Sequence, residues 1–364
     1  MFDRRLLLNL DWGLLLLTLF LCGVGLVTIF SAVSGTAQEG LFVKQWIWYG
    51  AGLGGVIVIC LVDYKRFEQW AYVIYSGSMV LLIAVLFVGK LVGGSRRWLA
   101  LGPLTLQPSE LAKIAVILVL ARFFAHRIKL EGFRLRELGG PFLLTMVPFA
   151  LILQQPDLGT GLVVFLIAGS MALFVKIERR SLGILSVLGG LAGATGFLFL
   201  KEYQRQRILT FLDPDRDPLG AGYHIIQSKI AIGSGMIHGK GLFQGTQNTL
   251  AFLPEQHTDF IFSVLAEEWG FIGAFCVCLA FFFLILRGLS IAFACRDHFG
   301  TILSVGATAM IFWQSLINLG MVMGLMPVVG MPLPLVSYGG SSVLTILLCI
   351  GLLANVSMRR FVAP

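Results

Sequence analysis

Residues 257–286 read HTDFIFSVLAEEWGFIGAFCVCLAFFFLIL, and they decide the fold because a polar segment passes there directly into a long apolar run. Only Glu267 and Glu268 carry charge between residues 260 and 286. The run is long enough for a helix to cross the hydrocarbon core of a bilayer, which takes about 20 residues. The carboxylate of Asp259 is therefore expected at the surface of a membrane.

The rest of the chain repeats this pattern. Its 364 residues are 57% hydrophobic and 13% charged, with a mean hydropathy of +0.88. These values predict an all-α polytopic integral membrane protein, a single membrane domain over residues 1–364 with about ten transmembrane helices. The predicted spans lie near residues 12–33, 45–62, 71–89, 106–125, 139–155, 158–175, 182–200, 260–286, 299–323 and 335–355.

The basic residues give the orientation. More than half of the 27 Lys and Arg residues lie at the termini or in the even-numbered connections, which predicts cytoplasmic N- and C-termini. Most of the net charge of +8 then lies beside the helices at the inner face of the membrane. The charge therefore does not imply a nucleic-acid partner.

One connection is long. Residues 201–259, between the seventh and eighth spans, are predicted to form an extracytoplasmic loop, either a flap over a substrate or a passive surface loop. The stretch from Gly222 to Gly233 is a candidate for a short interfacial helix.

Several charged residues lie inside or beside the spans. Glu110 and Lys113 are three residues apart on one helix face, so they are expected to pair with each other or to line a wet cavity. A neutralising pair that only fixes packing remains open. Asp157 follows a tight connection and can simply cap the sixth span, whereas at least one of Glu267 and Glu268 is expected to face the bundle interior.

Two roles remain open for Asp259. Together with Pro254 and Thr258 it has the composition of a helix start, where a carboxylate is favoured as a cap. It is equally a candidate catalyst, and the two roles can coexist because a helix dipole keeps the acid ionised.

A set of motifs appears in order over nearly the whole chain, and with it the chain resembles the SEDS family (shape, elongation, division and sporulation), especially its RodA-like rod-shape branch. The motifs are Arg97-Trp98, 107–113 (QPSELAK), 155–161 (QPDLGTG), 222–228 (GYHIIQS), 245–248 (GTQN), 252–260 (FLPEQHTDF) and 332–342 (PLPLVSYGGSS).

The resemblance implies a peptidoglycan glycosyltransferase that polymerises lipid II into β-1,4-linked glycan at the outer face of the bacterial plasma membrane during cell elongation. It also implies two kinds of partner, a class B penicillin-binding protein and other membrane proteins of the elongation complex. The key acid of the family matches Asp259. Its other important polar positions match Glu110, Lys113, Asp157, Lys44 and Ser337.

The chemistry is compatible with one strong acid. Inversion at an α-linked donor needs one base for the acceptor 4-hydroxyl, a role that fits Asp259. The pyrophosphate leaving group needs cationic support, for which Arg97, Lys113 and a divalent cation (Mg or Mn) are the candidates. No metal ligands can be named from the sequence, and no pattern supports a nucleotide cofactor.

A second class of function stays open. Ten helices with internal charges could line a path that flips lipid II, although the candidate acids cluster towards one face and no matching broken helices occur in two halves. A third option, a scaffold for a cell-wall complex, leaves the polar cluster unexplained.

Overall fold

The computed structural model describes residues 8–36, 38–92, 95–101, 104–129, 131–196, 202–213, 216–217, 220–246 and 255–360. Twelve helices and three short strands are named in this part of the chain. The helices are α1 (Trp12–Val33), α2 (Gly40–Leu61), α3 (Tyr64–Val88), α4 (Pro108–Ala125), α5 (Gly139–Gln154), α6 (Leu158–Phe174), α7 (Arg179–Gly196), α8 (Glu202–Leu212), α9 (Ala221–Ser234), α10 (Ile261–Ala294), α11 (His298–Val322) and α12 (Gly340–Arg359). The strands are β1 (Lys90–Val92), β2 (Ser95–Leu101) and β3 (Leu104–Leu106).

Each of the ten apolar runs contains a helix, which confirms an essentially helical, polytopic membrane protein. Within the described residues, six helices are both long and apolar enough to cross a membrane: α1, α2, α3, α10, α11 and α12. Helices α5 and α6 are shorter apolar helices. Residues 197–200 of the predicted seventh span lie outside the described part of the chain.

Short polar side chains start several of these helices. Asp11 accepts a hydrogen bond from the N–H of Leu14 at 3.0 Å, and Asp297 accepts one from the N–H of Gly300 at 3.0 Å. Pro108 occupies the start of α4, where its missing N–H costs nothing. Local sequence therefore fixes where these helices begin.

The core lies around α4, α11 and α12, which are buried along most of their length. Helices α2 and α12 pack closely at Gly52. A Cβ atom at this position would lie only 2.2 Å from the Leu347 side chain, so the contact requires glycine. By contrast, α2, α3 and α10 expose many large apolar side chains, as expected for helices that face lipid.

Two predictions were incomplete. The all-α description missed a small antiparallel sheet in the order β1-β2-β3, because β1 and β3 have three residues each and the sequence of β2, SRRWLAL, does not alternate between polar and apolar residues. The segment 201–259 is not a plain loop, since it contains α8 and α9; α9 confirms the helix expected between Gly222 and Gly233. Residues 201, 214–215, 218–219 and 247–254 of that segment lie outside the described residues.

Candidate active site

Four helices begin in one place at the predicted outer end of the bundle. Gln107, just before α4, donates through Nε2 to Asp157 Oδ2 (3.1 Å) at the start of α6. Its backbone N–H also donates to Ser341 Oγ (3.0 Å) in the first turn of α12. Asp259, which precedes α10, lies against the connection between α11 and α12. The contact is at Gly330, where a Cβ atom, if one were present, would lie 3.3 Å from Asp259 Oδ2.

The same connection touches α6, because a Cβ on Gly159 would lie 3.1 Å from the carbonyl oxygen of Val329. The N-termini of α4, α6, α10 and α12 therefore surround a common region. Helix N-termini carry partial positive charge and unpaired N–H groups, so such a region favours an anionic ligand.

The backbone at Asp259 is fixed by Asn318 of α11. The Asn318 side-chain amide donates to the Asp259 carbonyl at 2.9 Å and to the Met331 carbonyl at 2.6 Å. The N–H of Tyr338 donates to the carbonyl of His257 at 2.9 Å, and the two rings pack 5.9 Å apart. The Asp259 segment is thus held by Asn318 of α11 and by Tyr338 of the α11–α12 connection.

Burial raises the pKa of Asp259 to about 7, from an ordinary value of 3.8. The negative charges of Glu255 and Asp157 act in the same direction, whereas Arg207 lowers the pKa. The side chain retains partial solvent access. A carboxylate with a pKa near neutrality is a suitable general base, because a substantial fraction of it is ionised at neutral pH and it binds a proton well.

The structure distinguishes the two carboxylates for which capping was considered. Asp157 caps α6, accepting from the N–H of Thr160 at 3.2 Å and from its hydroxyl at 2.9 Å. Asp259 does not cap α10, whose N-cap residue is Phe260. No donor among the described residues bonds the Asp259 carboxylate; Pro254, the other residue of the predicted cap, lies outside them.

Glu110 and Lys113 form the expected pair. Lys113 Nζ lies 2.7 Å from Glu110 Oε1, and the side chains are 1% and 5% exposed respectively. Glu110 Oε2 has no hydrogen-bond partner among the described residues. The pair lies in the first turns of α4, inside the bundle.

The remaining predicted residues have different surroundings. Arg97 on β2 donates to the carbonyls of Gln155, at 2.8 Å, and Pro156, so it holds the turn before Asp157. Ser337 is buried and its hydroxyl accepts from the N–H of Leu333 at 2.8 Å, which shapes the α11–α12 connection. Lys44 is exposed on α2 and makes no ion pair among the described residues.

Sequence reasoning missed four residues near Asp259. Arg207 of α8 and Glu255 act on the charge of Asp259, Asn318 holds its backbone, and Gln107 links two helix starts. Arg207 and Asn318 are distant in the chain, so no local pattern points to them. Gln107 stands within the 107–113 motif and could have been singled out there.

Glu267 and Glu268 both face the interior, as expected for at least one of them. Lys240 Nζ lies 2.6 Å from Glu267 Oε1, and Ser31 of α1 donates its hydroxyl to Glu268. The partners of these two acids were not evident in the sequence because they lie in a loop and on another helix.

The described residues contain no group of three or more His, Cys, Asp or Glu side chains that could hold a metal ion. Asp157, Glu255 and Asp259 are the carboxylates of this region. Mg²⁺ usually binds through one or two carboxylates together with phosphate oxygens and water, so this donor set fits an ion that arrives with a phosphorylated substrate.

The model of the FtsW, RodA and SpoVE family, described as cell cycle proteins, matches residues 12–361. The chain is 41% identical to the peptidoglycan glycosyltransferase MrdB of Escherichia coli (strain K12), over 97% of this chain and 94% of the relative. It is 34% identical to the peptidoglycan glycosyltransferase RodA of Treponema pallidum, over 97% of this chain and 98% of the relative.

The chain is also similar to chains in solved structures. A chain of a peptidoglycan synthase complex, described as coordinating polymerization and crosslinking, is similar with a TM-score of 0.83 and 34% identity, covering 97% of this chain and 99% of that chain. The rod shape determining protein RodA of Thermus thermophilus is similar with a TM-score of 0.73 and 30% identity, covering 97% and 98%.

Proposed function

The chain belongs to the FtsW, RodA and SpoVE family of cell cycle proteins, and on this premise we propose that it polymerises lipid II with Asp259 as the general base. It is a peptidoglycan glycosyltransferase and a multi-pass protein of the bacterial plasma membrane. The family relation supports a role in cell shape, and the proposal concerns the substrate and the residues that act on it.

One observation carries the proposal: a carboxylate with a pKa of about 7 lies where four helix N-termini meet. The carboxylate supplies a base, and the helix N-termini supply partial positive charge for a pyrophosphate. A lipid-linked sugar pyrophosphate needs both at the same place.

In the proposed reaction the 4-hydroxyl oxygen of the acceptor sugar attacks C1 of the α-linked donor. The new C1–O4 bond forms on the face opposite the leaving group, so the product linkage is β. The electron pair of the breaking C1–O bond goes to the pyrophosphate, and the hydroxyl proton goes to an Asp259 carboxylate oxygen. One carboxylate is sufficient because the pyrophosphate leaves as an anion without protonation.

The pyrophosphate is stabilised by charge rather than by an acid. Arg207 is the best-placed cation, since it is close enough to Asp259 to lower its pKa. Arg97 and Lys113 contribute indirectly, because the first holds the turn before Asp157 and the second is fully buried beside Glu110. A divalent cation such as Mg²⁺ or Mn²⁺, held by Asp157 together with phosphate oxygens and water, would neutralise further phosphate charge when bound and would leave Asp259 free to act as the base.

We further propose ten spans with cytoplasmic termini, which places the Asp259 region on the extracytoplasmic face. The distribution of Lys and Arg supports this orientation. A class B penicillin-binding protein is the proposed partner. The similar chain within a complex that coordinates polymerization and crosslinking supports it.

The test is a polymerisation assay on purified protein in detergent. Lipid II is added with and without the partner, and the lipid-linked products are sized for wild type, Asp259→Asn and the control Asp213→Asn. Asp213 is a carboxylate of the same segment that is ion-paired to Arg216 at 2.9 Å. Polymer from wild type and the control but not from Asp259→Asn is the expected result. Absence of polymer from wild type with its partner, together with lipid II flipping in vesicles, would favour transport instead.

A further inference from the structure

Helix α10 is broken at Gly270. The residue has φ 66° and ψ −165°, a backbone conformation outside the helical region and open mainly to glycine. The break separates a short first half, residues 261–269, from a second half, residues 271–294. The second half has enough residues to cross a bilayer without the first.

A loop replaces hydrogen bonds at the break. The carbonyls of Met236 and Ile237 accept from the N–H groups of Phe271 and Ile272, at 2.9 and 3.2 Å. In the other direction, the N–H groups of residues 240 and 241 donate to the carbonyls of residues 267 and 268, each at 3.0 Å. We call residues 236–241 the docking loop. The position of the first half of α10 is therefore fixed partly by the docking loop and not only by the membrane-spanning second half.

An ion pair reinforces the docking loop. Glu267 is fully buried at the end of the first half, and its Oε1 lies 2.6 Å from Lys240 Nζ, which is 27% exposed. Thr246 donates to the same oxygen through its N–H at 2.8 Å and its hydroxyl at 2.9 Å. A buried carboxylate requires such compensation, because an unpaired charge there is strongly unfavourable.

The other end of the first half carries Asp259. Asn318 holds its carbonyl at 2.9 Å, and Ser263, one turn along, lies 2.8 Å from Ser228 of α9 through their hydroxyl oxygens. Glu267 is the eighth residue after Asp259, which corresponds to about 12 Å at the rise of an α-helix. A rotation at the Glu267 end therefore displaces the Asp259 end.

We propose that the Lys240–Glu267 ion pair positions Asp259, by fixing the orientation of residues 261–269 relative to the rest of the bundle. The inference rests on the proposed role of Asp259 as the base. Lys240 and Glu267 are positioning residues, since neither is placed against the reacting atoms. Displacement of a catalytic group by about 1 Å can cost about a hundredfold in rate.

The decisive comparison uses three variants in the same lipid II assay. Lys240→Met removes the cation and leaves the buried Glu267 carboxylate without its lysine partner. Lys240→Met combined with Glu267→Gln removes both charges and keeps an oxygen for the Thr246 hydrogen bonds. Lys129→Met is the matched control, because Lys129 pairs with Glu137 on an exposed surface of the protein.

Lys240→Met is expected to lower kcat about ten- to a hundredfold, to change KM less than about threefold, and to move the acid limb of the pH profile. The double variant is expected to recover kcat to within about fivefold of wild type, and Lys129→Met to behave as wild type. If the ion pair only stabilised the fold, the activity of each variant would fall in proportion to its loss of thermal stability. The acid limb of the pH profile of the folded protein would then be unchanged. That result, or a kcat for Lys240→Met within twofold of wild type, would overturn the proposal.

If Lys240→Met fails to fold, Glu267→Gln alone replaces it, since the amide keeps the volume and the hydrogen bonds. A full kcat in that variant would overturn the proposal, and a lowered kcat with a shifted acid limb would support it. Failure of the proposed function is recognised separately: Asp259→Asn would then retain polymerase activity, whatever the Lys240 variants do.

Discussion

The acid limb of the pH–activity profile follows from the surroundings of Asp259. The proposed base, Asp259, would act as a carboxylate, and its pKa is about 7. Activity should therefore rise with pH. Between pH 8 and pH 6 the ionised fraction falls from about 90% to about 10%, so kcat/KM should fall about ninefold, with the midpoint of the limb near pH 7.

Two substitutions should move this midpoint in opposite directions. Glu255 raises the pKa of Asp259, so Glu255→Gln should move the limb to lower pH and increase the activity at pH 6. Arg207 lowers that pKa, so Arg207→Gln should move the limb to higher pH. Asp213→Asn is the control and should leave the midpoint in place.

The assay is the initial rate of lipid II polymerisation at subsaturating substrate, from pH 5 to pH 9 and at constant ionic strength. An acid limb with its midpoint near pH 7 would not come from the nearby histidines. Burial lowers the pKa of His224 and of His257 below the ordinary 6.5, so both would titrate at lower pH. A midpoint near pH 4, or one that neither charge substitution moves, would refute the assignment.

Two further predictions concern the supports of the site, and both are measured as thermal unfolding in detergent beside the polymerase rate. Asn318→Leu should lower the melting temperature and the rate together, because it leaves the partly buried Asp259 carbonyl and the buried Met331 carbonyl without this donor, at about 1–3 kcal/mol for the buried one. Lys113→Met should destabilise the protein by about 3–5 kcal/mol, since it leaves Glu110 unpaired in the bundle, and Glu110→Gln in the same chain should restore most of the loss. Lys113→Met with an unchanged melting temperature, or Asn318→Leu with an unchanged rate, would contradict these accounts.

Much of the fold is encoded locally and could be predicted. Apolar runs of sufficient length become helices, and the spacing of Glu110 and Lys113 places both on one face, where they pair. Asp157 was expected as a cap and is one. In each case the deciding partners are within a few residues of one another.

The site depends on partners that are distant in the chain. Arg207 approaches Asp259 from α8, and Asn318 reaches it from α11. The break at Gly270 was also not predicted, because a single glycine in an apolar run is compatible with an unbroken helix and the loop that compensates the break is more than 25 residues upstream. Tertiary contacts decide these features, so no local pattern contains them.

The pKa of Asp259 is set by opposing influences of burial, the helix dipole and neighbouring charges. Its place just before a helix start suggested that the dipole would keep it ionised and its pKa low. The pKa is nevertheless about 7, because burial outweighs the dipole and two neighbouring carboxylates oppose ionisation further. A carboxylate with this pKa binds a proton roughly a thousandfold more tightly than one at 3.8, yet about half of it is ionised at pH 7. The environment that makes Asp259 costly to ionise is therefore what suits it to the proposed role of base, whereas Asp157, held by three hydrogen bonds, is suited to organising the site around it.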